Sequence, residues 1–181
     1  MNISAVFIRR PVGTSLLPLE AHDDARGAFI ELYRLEWETG IVPVQWNAVR
    51  SEPGVLRGVH VHVRHDDYLT VPYGSASVGL RDLRRGSPTE GVATVVELDG
   101  EAPAALVIPH GVAHGFYFHA PSLHVYAVSE YWDPEDELGC HWADPDLGIP
   151  WPCRSARVSE RDAQSPSLRA LLDRLEPSQP I

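Results

Sequence analysis

The chain has 181 residues, 44% of them hydrophobic, which suits one domain with a substantial core. Its formal net charge of -10 argues against a nucleic-acid partner, because binding a phosphate backbone normally needs a basic face. All fifteen basic residues are Arg, so no lysine can serve as a base, a Schiff-base partner or an oxyanion donor. We identify no signal-peptide core and no apolar run of bilayer length. A cytoplasmic protein with no membrane partner is therefore expected.

Short β-rich runs separated by turn signals fill most of the chain. Weak alternation at Ile3, Val6 and Ile8 predicts a first strand. Strands are also predicted at 28–33 and 41–49, and in a segment that contains His60 and His62. Six further strands are predicted at 68–71, 77–83, 92–98, 105–108, 115–119 and 124–129. Turn signals at 72–74 and 99–100 predict hairpins between neighbouring strands.

Only the end of the chain has a helical pattern. Four leucines recur at helical spacing after Ser165-Pro166, which resembles a cap followed by a first-turn proline: Leu168, Leu171, Leu172 and Leu175. We interpret this stripe as a short helix that packs on the body of the protein.

The strand pattern predicts an all-β fold, a jelly-roll barrel with a short C-terminal helix. One domain is expected over 1–181. It divides into N-terminal strands at about 1–40, a barrel core at about 41–132, and an irregular wrap with the helix at about 133–181. Such a barrel encloses a small ligand, and the inward side chains of its strands line the cavity.

Three histidines carry the functional signal: His60, His62 and, after a Pro-x-Gly turn, His114. On a strand, His60 and His62 leave the same face and would line the barrel interior. In one interpretation a histidine is a general base that removes a proton next to a carbonyl, with a carboxylate holding its other nitrogen. The remaining histidines considered are expected to be surface or satisfied polar groups: His22, His65, His119, His124 and His141.

In the second interpretation the histidines are metal ligands. Three imidazoles and one carboxylate suit one divalent transition metal. The ligands would be His60, His62, Asp67 and His114. The spacing is similar to that of metal-binding cupins, with Asp where Glu is usual.

A set of motifs extends from about Asp23 to Leu172. They are Asp24-x-Arg26-Gly27-x-Phe29-x-Glu31, Gln45-x-Asn47, Val55-Leu56-Arg57-Gly58-x-His60, Asp82-Leu83-Arg84-x-x-Ser87-Pro88-Thr89, Ile108-Pro109-x-Gly111-x-Ala113-His114-Gly115-Phe116, Tyr126, Tyr131, Asp144-Pro145-x-Leu147-Gly148-Ile149-x-Trp151-Pro152 and Ser159-x-x-Asp162. By these motifs the chain resembles the dTDP-4-dehydrorhamnose 3,5-epimerase family, the cupin-fold sugar-nucleotide epimerases.

The resemblance implies an isomerase of deoxysugar biosynthesis that needs no cofactor and works as a homodimer. Its substrate would be a dTDP-linked 4-keto-6-deoxyhexose, epimerised at C3, C5 or both through an enolate. His60 matches the catalytic base, Asp162 its carboxylate partner, and Tyr126 the acid that returns a proton on the opposite face. The residues that match substrate-binding positions are Arg26, Phe29, Glu31, Gln45, Asn47, Arg57, His114, Tyr131 and Trp132.

Two residues depart from the family pattern. His62 stands where the family has Gln, and Asp67 stands where it has a lysine that holds the C4 oxygen. Both changes favour the alternative of a metal-dependent cupin isomerase, cyclase or oxygenase of secondary metabolism. A third possibility is a cupin that binds a sugar nucleotide without catalysis.

Overall fold

The computed structural model describes residues 9–175. The predicted strand at Ile3, Val6 and Ile8 lies outside this range. The strands are β1 (Ser15–Pro18), β2 (Ala21–Asp24), β3 (Gly27–Ile30), β4 (Gln45–Ser51), β5 (Leu56–Val61), β6 (Asp67–Tyr73), β7 (Ser75–Asp82), β8 (Ala93–Asp99), β9 (Ala104–Ile108), β10 (Val112–Phe118), β11 (Ser122–Val128) and β12 (Leu138–Gly139). The α-helices are α1 (Glu160–Ala163) and α2 (Leu168–Leu175), and short 3₁₀ turns lie at Leu35–Trp37, Pro134–Asp136 and Pro145–Leu147.

Two five-stranded antiparallel sheets form the body, and the predicted jelly-roll barrel is confirmed. The first sheet has the order β1-β9-β6-β11-β4, and the second has the order β12-β5-β10-β7-β8. The hairpin β2-β3 stands apart as a two-stranded sheet. Neither helix in the described part of the chain has the length and apolarity needed to cross a bilayer.

The main core lies between the two sheets. Strands of both sheets contribute buried aliphatic side chains to it, such as Leu69 and Leu106 from the first sheet and Val78 and Leu80 from the second. Alternation explains this placement, because every second residue of a strand points to the same face. In β8, for example, Val96 is buried and Glu97 beside it is exposed. At one end of the barrel the core gives way to a cavity.

The turns at 72–74 and 99–100 do not join hydrogen-bonded neighbours, so the predicted hairpins are wrong. β6 lies in the first sheet and β7 in the second, while β8 and β9 lie in the second and the first. Each turn therefore carries the chain across the barrel. Gly74 has φ +81°, and a Cβ there would lie 2.5 Å from the carbonyl oxygen of Pro121. Local turn chemistry specifies the reversal, whereas sheet pairing depends on contacts distant in sequence.

The C-terminal segment covers the outer face of the second sheet. Leu168 and Leu171 of α2 are buried there against Val59, Val61 and Leu147, as the leucine stripe predicts. The helix begins two residues after the predicted proline position.

A second short helix, α1, was not predicted from the sequence. Its N-cap is Ser159, whose hydroxyl accepts a hydrogen bond from the backbone N–H of Asp162 at 3.1 Å. This cap fixes the helix that carries Asp162.

Candidate active site

A cavity of about 730 Å³ opens between the two sheets. Its volume is in the usual range for small-ligand sites. Nine of the residues predicted at the site line it: Asn47, Arg57, His60, His62, Asp67, His114, Tyr126, Trp132 and Asp162. His60 and His62 therefore share the interior, as their spacing predicts.

Strand β5 presents His60 to the cavity through an irregularity in its pairing with β10. The register shifts between His114 and Gly115, and Gly58 beside them has φ +105°. A Cβ at Gly58 would lie 2.9 Å from the carbonyl oxygen of His114. Only glycine fits this backbone approach, which sets the position of His60 two residues later.

His60 is paired with the carboxylate of Asp162 from α1. The two side chains meet at 3.0 Å between Nε2 and Oδ1, although 102 residues separate them in sequence. Asp162 is buried, at 4% exposed, and its Oδ2 accepts from the backbone N–H of Gly58 at 3.4 Å. Burial opposes ionisation, but the hydrogen bond from His60 and its neighbours lowers the pKa of Asp162 to about 2.

Arg161 makes a competing contact with the same nitrogen. Its Nη2 lies 2.8 Å from Nε2 of His60, but a guanidinium can only donate, so the two contacts need opposite tautomers. We assign the proton to Nε2, because Asp162 is buried whereas the Arg161 side chain is 62% exposed. The Nδ1 atom then carries the lone pair that can accept a proton.

Tyr126 faces the cavity from the opposite sheet. It lies on β11 of the first sheet, whereas His60 lies on β5 of the second. Burial raises the pKa of its hydroxyl, and the charges of Glu137 and Asp67 add to the effect. The phenol is therefore protonated at neutral pH and can donate a proton.

A second cluster lies deeper in the cavity and consists of His62, Asp67 and His114. All three are buried, and one ligand atom from each lies within 4.8 Å of the others. The Nε2 atoms of both histidines are 3.9 Å from Oδ2 of Asp67. His60 lies outside this group, and its Nε2 contacts Asp162 instead, so three of the four residues in the metal set predicted from spacing lie together here.

Burial sets the charge state of this cluster. Burial lowers the pKa of His62 to about 2, and the charge of His114 adds to this effect. Burial also lowers the pKa of His114 to about 4, although its hydrogen bond to the Val112 carbonyl acts in the opposite direction. Both imidazoles are therefore neutral at physiological pH. Burial also raises the pKa of Asp67 well above its usual value, and the charge of Glu137 adds to the effect.

Five of the residues predicted to bind substrate do not line the cavity. Gln45 lies beside it, donating to Asn47 at 3.1 Å and accepting from the backbone N–H of Trp132 at 3.1 Å. Tyr131 is 76% exposed. The other three lie on or next to the β2-β3 hairpin, where Arg26 pairs with Asp24, Glu31 pairs with Arg34, and Phe29 is 62% exposed.

Three of the lining residues that were not predicted at the site carry titratable side chains close to the histidines: Glu137, His65 and His124. Glu137 lies 4.0 Å from Nδ1 of His60, in the segment predicted only as an irregular wrap. His65 and His124 are buried and line the cavity. His65 is a satisfied polar group, as expected, since its Nδ1 contacts Asp136 at 3.1 Å. His65 directly follows the turn at 63–64 and has no spacing signal, so only the fold shows that it lines the cavity.

The chain is similar in sequence to a family of known proteins. The family profile described as dTDP-4-dehydrorhamnose 3,5-epimerase matches residues 12–170. The dTDP-4-dehydrorhamnose 3,5-epimerase of Pseudomonas aeruginosa is 37% identical over 150 residues, covering 78% of this chain and 83% of the relative. The dTDP-4-dehydrorhamnose 3-epimerase of Streptomyces niveus is 32% identical over 152 residues, covering 79% and 73%.

A solved structure shares the fold. The epimerase of Legionella pneumophila, crystallised with dTDP-4-keto-L-rhamnose, superposes with a TM-score of 0.80 at 33% identity, covering 88% of this chain and 91% of that one. The family profile extends over the strands that build the cavity and over the segment that carries Asp162. The chain belongs to the dTDP-4-dehydrorhamnose 3,5-epimerase family.

Proposed function

We propose that this protein epimerises a dTDP-linked 4-keto-6-deoxyhexose at C3, C5 or both, by proton removal and return through an enolate. One observation carries the proposal. A histidine held by a buried carboxylate and a protonated tyrosine face the same cavity from opposite sheets. A sugar bound between the sheets would therefore present one ring face to the base and the other to the acid.

The proposed reaction has two proton transfers. Nδ1 of His60 takes the proton from the carbon next to the C4 ketone, and Asp162 stabilises the imidazolium that forms. The electron pair of the broken C–H bond moves into the enolate, with negative charge on the C4 oxygen. Tyr126 then donates its proton to the same carbon from the opposite face, which inverts the centre. Solvent exchange restores both groups for the next cycle.

The nucleotide would bind near Arg57 at the cavity mouth. Its Nε donates to Ser51 Oγ at 2.9 Å and its Nη2 to the carbonyl of Arg50 at 3.2 Å, which orients the guanidinium. A guanidinium held in this way suits a pyrophosphate, because its planar fork donates to two oxygens.

Deuterium incorporation tests the assignment of the base. Wild-type enzyme with dTDP-4-keto-6-deoxyglucose in deuterated water is expected to place deuterium at each carbon that is epimerised, as read by NMR. His60→Asn should abolish the exchange. His119→Asn is the matched control, because His119 lies away from the cavity and contacts Ser77 at 2.7 Å. Full exchange in a folded His60→Asn variant would refute the proposal.

We also propose that the protein is a homodimer, joined on the face that carries the β2-β3 hairpin and edge strand β4. Exposed apolar side chains collect there, including Phe29 at 62%, Val42 at 63% and Trp46 at 43%. The hairpin residues matched to nucleotide binding lie outside the cavity of their own chain, and a second copy would bring them to its own cavity. Light scattering should give twice the chain mass for wild type and the chain mass for Trp46→Glu. A wild-type monomer would exclude this assembly.

A further inference from the structure

The unexplained feature of the cavity is the second cluster, which the proposed proton transfers do not use. Asp67 begins β6 of the first sheet, whereas His114 lies on β10 of the second and His62 follows β5 directly. The three side chains therefore meet across the gap between the sheets, with the 3.9 Å separations given above.

The backbone presets both imidazoles to offer Nε2. Nδ1 of His62 lies 3.3 Å from the carbonyl of Asp136, and Nδ1 of His114 lies 3.1 Å from the carbonyl of Val112. A carbonyl only accepts, so each Nδ1 carries the proton and each Nε2, at 3.9 Å from Oδ2 of Asp67, carries a lone pair. Hydrogen bonds of this kind typically orient histidines that bind metal.

The side chain of Asp67 is 7% exposed, and the basic groups beside it are imidazoles. Nε2 of His62 and Nε2 of His114 each lie 3.9 Å from its Oδ2. The chain has no lysine. The neighbouring charges that act on Asp67 come from acidic residues: Glu137, Asp66 and Asp136. A buried carboxylate is normally paired with a cation or bound to a metal.

We propose that Nε2 of His62, Nε2 of His114 and Oδ2 of Asp67 bind one divalent transition-metal ion in the wall of the cavity. Bonds of about 2.0–2.2 Å to one ion bring its ligand atoms to about 3–4 Å from one another, which is close to the spacing found. Two imidazoles and one carboxylate suit zinc, iron, cobalt or nickel. Three protein ligands leave coordination positions that face the cavity.

A competing ligand set, His62 with His65 and Asp136, is disfavoured by its hydrogen bonds. The carboxylate of Asp136 accepts from the backbone N–H groups of Val63 at 2.9 Å and Arg64 at 3.3 Å. It also contacts Nδ1 of His65 at 3.1 Å. Asp136 therefore serves to hold the turn after β5, and a metal there would have to break that turn.

The ion would supply positive charge on the wall where the chain lacks a lysine. If the proposed epimerisation is correct, this charge would polarise the C4 carbonyl and stabilise the enolate. This role rests on the proposed function, but the binding does not, because it can be measured without any substrate.

Cobalt(II) is the probe of choice, since its visible absorption reports the ligands. Protein without a histidine tag, stripped with chelator and then freed of it, is titrated with CoCl₂. We expect about one equivalent to bind with ligand-field bands. Asp67→Asn and His114→Asn should weaken binding by at least about 100-fold, beyond the usual effect of an outer hydrogen-bonding partner. His124→Asn, a buried cavity histidine outside the cluster, should keep wild-type affinity.

Thermal unfolding gives a second measurement that does not depend on the absorption bands. An ion that ties the two sheets together should raise the Tm of wild-type protein and leave that of Asp67→Asn unchanged. No stoichiometric binding at saturating Co²⁺, or equal binding to wild type, Asp67→Asn and His114→Asn, would overturn the proposal. Neither result would affect the deuterium test of His60, so the two proposals fail separately.

Discussion

Asp162→Asn isolates the contribution of the buried carboxylate to the base. The pKa of Asp162 falls from 3.8 to about 2, which at about 1.4 kcal/mol per pH unit corresponds to about 2 kcal/mol favouring the carboxylate. Its pairing with His60 is the largest favourable cause. The same interaction must stabilise the imidazolium that forms when His60 takes a proton. The single asparagine oxygen can accept from Nε2 of His60 or from the backbone N–H of Gly58 but not from both, so the variant removes the charge and one of these hydrogen bonds.

We therefore expect deuterium exchange to slow by roughly 10- to 30-fold in Asp162→Asn, since each 1.36 kcal/mol corresponds to a factor of ten. The initial rate of exchange, measured by NMR at neutral pD, gives this ratio. Glu160→Gln is the matched control, because it removes an exposed carboxylate from the same short helix. A folded Asp162→Asn variant that exchanges at the wild-type rate would refute the role of this pair.

Three further predictions test the acid, the packing and the pH dependence. Tyr126→Phe should keep deuterium exchange but reduce formation of the epimer by about 100-fold or more, as read from the product ratio by NMR, because the proton then returns from the face of removal. Gly79→Ala should lower the free energy of unfolding by about 1–3 kcal/mol in urea titrations, because its Cβ would lie 2.5 Å from the Trp151 ring; unchanged stability would contradict this packing. Burial opposes ionisation of Asp82, but hydrogen bonds from Arg84, Thr89 and Ser87 lower the pKa of Asp82 to about 2. The ionised Asp82 side chain therefore stabilises the fold fully above about pH 4, and this stabilisation is lost as the pH falls towards 2. Asp82→Asn should therefore cost about 2 kcal/mol at pH 7, and the difference from wild type should shrink on acidification; a constant difference would contradict the assignment.

Most strands and the terminal helix follow from local patterns, whereas β1, β2 and β12 were not predicted. Alternation and turn residues predict where β6 to β11 begin and end to within a few residues, and the leucine stripe predicts α2. The partners of the strands are not encoded locally. The turns at 72–74 and 99–100 reverse the chain, but burial of both inner faces decides that the next strand joins the opposite sheet.

The site divides in the same way. The spacing of His60 and His62 places both in the cavity, but it cannot tell that a bulge and a long-range carboxylate give them different partners. Asp162 is more than a hundred residues from His60, and only the resemblance to a family identified it. Glu137 belongs to a proline-rich segment with no periodicity, so its contact with the cavity depends wholly on how that segment packs.

The placement of Asp162 outside the barrel affects how the protein is made. Every strand of the two five-stranded sheets except β12 is complete by Val128, whereas the helix that orients His60 is synthesised later and docks from outside. A nascent chain can thus pair most of its strands before the base acquires its partner. Proteolysis between Cys153 and Arg157 would separate Asp162 from the strands, together with the lining residues Arg157, Ser159 and Arg161, and would leave His60 without its carboxylate.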